Sequence, residues 1–328
     1  MNIHQWSNTI KTFNKKFEEN RDVQDQWDVN TRENLPLFNK GNSIWNLEDL
    51  YSGEKEKAMI LVGSSPTLEK DAPKLRNLND NFIIICANSA LKYLLKNGVK
   101  PHYVICLDSD DIDIPQHLDC DSRGITLLSS TVVSKIALDA WQGDIYFMPY
   151  YSINNDLKKK IRGKLGKKIP SGGNSITSAL AVVSIIFGSK IVIFVANEYC
   201  FDKAYYADKD SAKQEKLSTL YPAIDVNGNK RWTLPALYMY AIWTDKICND
   251  LTPPGLFIDT SFGLLGKDNN AIWNKSIPEA IYTINQVFEG RKDGEQIASL
   301  GVVRHDKSEV LRYNLQTQRE KLLQLARS

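Results

Sequence analysis

Histidine, methionine and cysteine are scarce in this chain: among 328 residues there are 4 His, 4 Met and 5 Cys. The histidines, His4, His102, His117 and His305, form no HxH or HExxH pattern, so a histidine-based zinc site is not indicated. Cys86, Cys106, Cys120, Cys200 and Cys248 are odd in number, scattered and without a CxxC pair, which excludes a disulfide framework or a zinc knuckle and reads as reduced thiols. No GxSxG is present, which removes the hydrolase nucleophile elbow. There is no GxxxxGK[ST] and no GxGxxG, so neither the P-loop nor the dinucleotide fingerprint is available. Charge is also nearly balanced, at 41 basic against 39 acidic residues, and no global field draws the protein to nucleic acid or anionic lipid. Any polyanion site must be local. The longest apolar stretch, Ala179 to Ala196, is broken by Ser184, Gly188, Ser189 and Lys190. It falls short of the roughly 20 residues of a membrane span and reads as helix, turn, strand. The N-terminal MNIHQWSNTIKTFNKKFEEN has no apolar core, so the expected compartment is the cytoplasm.

What is present is ordinary globular composition, 42% hydrophobic and 24% charged, in a length that can bury a large core. Short continuous apolar runs recur: AMILV at 58–62, FIIICA at 82–87, YVICL at 103–107, then 126–129, 145–148 and 191–196. Runs of this kind suit strands buried on both faces, and the helical segments between them, such as 89–97 and 175–187, imply a parallel sheet. The fold class is therefore α/β, a Rossmann-like, doubly wound and mostly parallel sheet. The expected organisation is a helical N-terminal extension over 1–57, a catalytic domain over 58–265 and a helical C-terminal region over 266–328. In the first, Trp6, Phe13, Phe17 and Trp27 space an amphipathic stripe; in the last, Leu311, Leu315, Leu322 and Leu325 do so within a closing helix over 309–327. The polar stretch from about Asp202 to Arg231, with Tyr205 and Tyr206, is a candidate lid, and helical spacing resumes over 232–251.

Ligands of open α/β sheets bind beyond the carboxyl ends of the strands, which singles out the residues just after each run. Gly63, Ser64, Ser65 and Thr67 offer backbone N–H groups and hydroxyls to a phosphate or sugar, and Asn88 follows the second strand. Ser171, Gly172, Gly173 and Asn174 precede a helix, where they either cradle an anion or simply cap it. Asp108, Asp110 and Asp111 gather carboxylates at a strand end. They read either as a seat for a divalent cation such as Mg2+ holding a diphosphate, or as a capped helix start. Glu198 follows the last strong strand.

The blocks GSSPTL, CANSALKYLLKNGVKPHYVICLD and PSGGNSITSALAVVSIIFGSKIVIFVANEYCF resemble the MptE-like domain. That domain is shared by flagellin-modifying motility-associated-factor glycosyltransferases and archaeal 6-hydroxymethyl-7,8-dihydropterin diphosphokinases. The resemblance runs over roughly residues 30 to 265. Against the family's G-x-G-P-S-L, Gly63, Pro66 and Leu68 are kept, while Ser65 replaces the second glycine and Thr67 the serine. The blocks also resemble bacterial CMP-sialic-acid transferases. That likeness implies cytidine-nucleotide binding at Ser64, Asn88, Ser171 and Gly172, and acidic site positions at Asp108 and Glu198. The diphosphokinases' HxHGDN-like segment has no counterpart, whereas DVNGNKRWTLPALYMYAIWTDKI and FIDTSFGLLG resemble the flagellin-modifying branch. The resemblance thus implies transfer of a nonulosonic sugar from a CMP donor to a protein or glycan acceptor, ahead of pyrophosphoryl transfer from ATP. Tyr205 and Tyr206 lack the histidine that serves the sialyltransferases as base, so no base is assigned from the family. A non-catalytic nucleotide-binding module is the third reading, and self-association is left open.

Overall fold

A computed structural model describes residues 21–47, 57–150, 154–169, 172–202, 220–250, 255–267 and 271–292. The amphipathic positions before residue 21, Ser171, the tyrosines of the candidate lid and the closing helix over 309–327 lie outside the described residues. The strands are β1 (Ala58–Val62), β2 (Phe82–Ala87), β3 (Tyr103–Cys106), β4 (Thr126–Ser130), β5 (Ile145–Met148), β6 (Ile191–Val195), β7 (Tyr221–Ile224), β8 (Lys230–Thr233), β9 (Leu256–Asp259) and β10 (Ile272–Asn274). Eight of them form one sheet in the order β10-β9-β6-β1-β2-β3-β4-β5, and every pairing in it is parallel. The Rossmann-like α/β class expected from the apolar runs is what is observed.

A parallel strand buried on both faces sends alternate side chains to opposite layers. Ala58, Ile60 and Val62 of β1, with Ile84, Val104 and Ile193, face one layer of helices. That layer holds α3 (Asn88–Lys96), α4 (Asp113–Leu118), α5 (Lys135–Ala140), α6 (Asn155–Leu165) and α9 (Ile277–Lys292). Met59 and Leu61, with Ile83, Ile85, Val192 and Phe194, face the other. It holds α7 (Ser175–Val182), prolonged by a wide π turn over Val183–Phe187, and α8 (Pro235–Asp250). α2 is a single turn, Leu68–Asp71.

Chain order runs outward from β1 in two directions, through β2 to β5 on one side and through β6, β9 and β10 on the other. The topological switch point therefore lies between β1 and β6, where connections diverge and leave a crevice at the carboxyl edge. α1 (Arg21–Asn34) laces the far part of that edge: Asn30 Nδ2 donates to Ser109 O (3.0 Å) and Val132 O (2.9 Å), and Asn34 Nδ2 to Val133 O (2.8 Å). Two local expectations are corrected. The helix expected from Trp232 begins only at Pro235, because Lys230–Thr233 pairs antiparallel with Tyr221–Ile224 as a separate hairpin. β9 and β10, which extend the sheet beyond β6, were not anticipated. Among the described residues no helix is long and apolar enough to cross a membrane.

Candidate active site

At the switch point the loop after β1 is stitched to the loop after β6. Gly63 N donates to Val195 O (2.9 Å) and Ser65 N to Ala196 O (3.2 Å). A Cβ at Gly63 would lie 2.4 Å from Ala196 O and 2.5 Å from Asn197 Oδ1, so this glycine serves the strand contact and not an empty approach path. Ser65 Oγ accepts from Glu198 N (3.2 Å), and Thr67 N donates to Glu198 Oε2 (3.3 Å). Ser64 is turned the other way, accepting at 2.9 Å from the Ser89 hydroxyl. Ser175 Oγ in turn approaches Asn88 Oδ1 at 3.5 Å. Ser64, Ser89, Asn88 and Ser175 thus form one polar line across the ends of β1 and β2 and the start of α7. Sequence reasoning placed Ser64 and Asn88 in the site and missed Ser89, although it directly follows Asn88.

The turn before α7 has structural duties. Asn174 Oδ1 accepts from Thr177 N (2.8 Å) while Thr177 Oγ1 accepts from Asn174 N (3.1 Å), a reciprocal cap that occupies the Asn174 side chain. A Cβ at Gly172 would lie 2.5 Å from Trp243 Cδ2, and one at Gly173, whose φ is +103°, would lie 2.6 Å from Tyr240 Cε1. The two glycines let the aromatic face of α8 close on the turn.

The expected three-carboxylate cation seat is corrected. Asp110 Oδ1 accepts from Ile112 N (2.8 Å) and Asp113 N (2.6 Å), which makes it a turn cap for α4. Asp111 Oδ2 is held by Gln26 Nε2 of α1 (2.9 Å). Among the described residues no three His, Cys, Asp or Glu side chains gather in a group able to hold a metal. The residues present therefore do not fit a three-carboxylate Mg2+ site. Asp108 takes part in neither contact. Its surface is open to water although protein surrounds it, as expected for a group on a concave wall. Partial desolvation and then the charge of Asp110 raise its pKa. Tyr150, close enough to feel the Asp108 charge, is raised mainly by burial.

Glu198 is half-buried, and burial raises its pKa against the pull of the Thr67 N–H and hydroxyl and the charges of Arg231 and Lys70. Beside it, at the end of β9, stands Asp259, a residue the sequence reading passed over. Asp259 is fully buried, and Phe262 N donates to its Oδ2 (3.0 Å). Burial, helped by the charge of Glu198, pushes its pKa up to about 7 even though Ser261 and Phe262 hydrogen-bond to it. The β9 loop grips the β6 loop: Ser261 Oγ accepts from Asn197 N (2.8 Å), and Leu264 N donates to Glu198 O (2.9 Å). Ala196 and Tyr199 on one loop and Phe262 on the other hold φ of +54°, +54° and +56°. Such conformations cost non-glycine residues about 1–3 kcal/mol each and persist where surrounding contacts over-determine them. All three flank Glu198. The hairpin docks here too, through Val226 N to Gly263 O (3.0 Å), and carries Arg231, which is paired with buried Asp225 at 3.0 Å.

Glu198 and Asp108 do not form a pair. Their strands are three places apart in the sheet, about 14 Å at the usual strand spacing, so they stand well apart along its carboxyl edge.

Comparison with known proteins agrees with this architecture. A family model described as 6-hydroxymethylpterin diphosphokinase MptE-like matches residues 29–203, the stretch that contains β1 to β6. No curated protein matches the chain. Among solved structures, that of a MAf glycosyltransferase from Magnetospirillum magneticum AMB-1 is similar, with a TM-score of 0.58 at 14% identity. The match covers 84% of this chain and 45% of that one, so the chain spans less than half the length of that protein. At that identity the likeness is one of fold.

Proposed function

Because the chain belongs to the MptE-like family, we propose that it is a nucleotide-dependent transferase whose activated donor lies in the crevice between β1 and β6. One observation carries the reading: Ser64, Ser89, Asn88 and Ser175 meet in a single polar line at the switch point, beside a strained loop bearing Glu198. Hydroxyl and amide groups in that arrangement suit the sugar and phosphate of a nucleotide. The resemblance in the first loop, together with the solved MAf glycosyltransferase, favours a CMP-activated nonulosonic sugar as donor and a hydroxyl of a protein or glycan as acceptor. The five free cysteines, four of them buried, suit a reducing compartment such as the cytoplasm.

In this reading Glu198 shapes the donor loop through Thr67 N–H, while Asp108, open to the crevice, takes the proton of the acceptor hydroxyl. The acceptor oxygen bonds to the anomeric carbon, the bond from that carbon to the phosphate oxygen breaks, and CMP leaves with the electron pair.

The family description favours a second reading, pyrophosphoryl transfer from ATP to a hydroxymethylpterin. Incubating the chain with a CMP-nonulosonic sugar and, separately, with ATP, magnesium and hydroxymethyl-dihydropterin, then following CMP and AMP release, separates the two. Release of CMP supports sugar transfer, and release of AMP replaces it with diphosphokinase chemistry. Binding of either nucleotide without turnover identifies a module that has kept the site and lost the reaction.

A further inference from the structure

The folded chain holds a concave cationic site that the proposed reaction does not use. Residues 157–168 carry six lysines and Arg162 with no carboxylate, in a chain whose net charge is only +2. Where α6 ends, this stretch meets the short 3-10 turns Lys40–Asn42 and Ile44–Asn46 around a cavity of about 480 Å³, lined by Lys40, Ser43, Trp45, Arg162, Lys164 and Lys167 among others. Among the described residues no acidic side chain lines it. The volume falls in the range of small-ligand pockets. It lies against the β5 edge, where Ser43 bridges to Phe147, about 19 Å or four strand spacings from β1.

The frame of this cavity is fixed without any ligand. Ser43 Oγ donates to Leu165 O (2.6 Å), and Trp45 Nε1 to Lys167 O (2.8 Å). Gly166, at φ +87°, passes so close to the indole that a Cβ would lie 3.1 Å from Trp45 Cδ1. Lys164 belongs to the frame, since its Nζ donates to Leu35 O (3.2 Å) and Phe38 O (2.9 Å). The side chains of Lys40, Arg162 and Lys167 have no hydrogen-bond or ion-pair partner among the described residues. Cations at a helix C-terminus ordinarily offset the macrodipole. That accounts for Arg162, but not for Lys40, which comes from a different element, nor for Lys167, which lies past the helix end. Gly166 N to Arg162 O (3.0 Å) and the Ser43 hydroxyl already serve terminal carbonyls. Three cations without side-chain partners, on a concavity whose described lining holds no carboxylate, match a compact anion of several charges, and a guanidinium fork suits phosphate oxygens.

We propose that this cavity is a second binding site, for a small polyphosphate-bearing ligand, separate from the strand-end crevice. Calorimetric titration of the full chain with sodium tripolyphosphate tests it. Wild type should bind, more weakly as salt is raised, and the K40Q/R162Q/K167Q variant should bind at least about 10-fold more weakly while melting as wild type does. Single R162Q, at an exposed position, should give a smaller loss in the same direction and covers a triple variant that fails to fold. Absence of binding to wild type, or equal affinity in the variants, overturns the proposal. A parallel titration with CMP keeps the two sites apart. The triple variant should retain whatever CMP affinity wild type has, and if wild type has none the transferase reading falls while this site stands on its own result.

Discussion

Replacing Asp259 with Asn should make the protein more stable in alkaline solution, although it alters a fully buried residue. Burial raises the pKa of Asp259 from 3.8 to about 7. An acid raised in this way binds its proton more tightly in the native chain. The stability contributed by the protonated form is full below about pH 4 and is lost as pH climbs through about 7. At about 1.4 kcal/mol per pH unit, the native state loses about 4 kcal/mol across that window. Asn at this position is neutral at every pH and keeps an oxygen for Phe262 N–H, so its cost is an imperfect hydrogen bond, about 1–2 kcal/mol. The balance at pH 8 is a gain of about 2 kcal/mol, or roughly 4 °C in melting temperature for a chain of this size. Near pH 5 most of the gain disappears. Thermal and urea melts of both proteins from pH 5 to 8.5 measure it directly. A variant destabilised by the same amount at every pH would show that Asp259 carries no proton-linked burden, and the account of the β9 end would be wrong.

Asp108→Asn should lower turnover by about 100-fold or more, the usual contribution of a positioned base, while melting within about 0.5 kcal/mol of wild type because the residue is exposed; equal losses in activity and melting would mark it as structural. Gly63→Ala should destabilise by about 1–3 kcal/mol, since its methyl would meet Ala196 O at 2.4 Å, and a melt indistinguishable from wild type would remove the loop contact from the argument. Asn174→Ala should cost about 1 kcal/mol of stability through loss of the α7 cap. Its nucleotide affinity, compared by calorimetry, should stay close to wild type, and a selective loss of affinity would restore this side chain to the ligand site.

The parallel sheet could be read from the sequence because AMILV, FIIICA and IVIFV are continuous apolar runs, a pattern that only burial on both faces requires. Placing the site at strand ends followed from the same pattern. β9 and β10 were hidden because LFID and IWN are short, lie far along the chain from β6 (Val195 to Leu256 and to Ile272) and join the sheet only through long-range pairing. Asp259 was hidden with them: its burial and its nearness to the charge of Glu198 come from strands brought alongside by topology, and no local spacing encodes that. Adjacency misled at Asp108, Asp110 and Asp111. Successive side chains in a turn diverge, and here one caps α4, one reaches α1 and one is open to solvent. The Gly172-Gly173-Asn174 turn was ambiguous for a related reason, since a helix cap and an anion cradle draw on the same residue types.

The claim that a nucleotide donor occupies the β1/β6 crevice is tested most directly by titrating CMP into wild type and Asn88→Ala in a calorimeter, with melts of both proteins alongside. Asn88, buried at the end of β2, belongs to the polar line through its contact with Ser175. The account predicts one CMP bound per wild-type chain and an affinity at least about 10-fold lower in the variant, the loss expected when a buried hydrogen-bonding partner is removed. Saturation at 100 times the dissociation constant should add about 2.7 kcal/mol to wild-type stability. A wild-type chain that is folded and takes up no CMP, or a folded variant that binds it as tightly as wild type, would contradict the account.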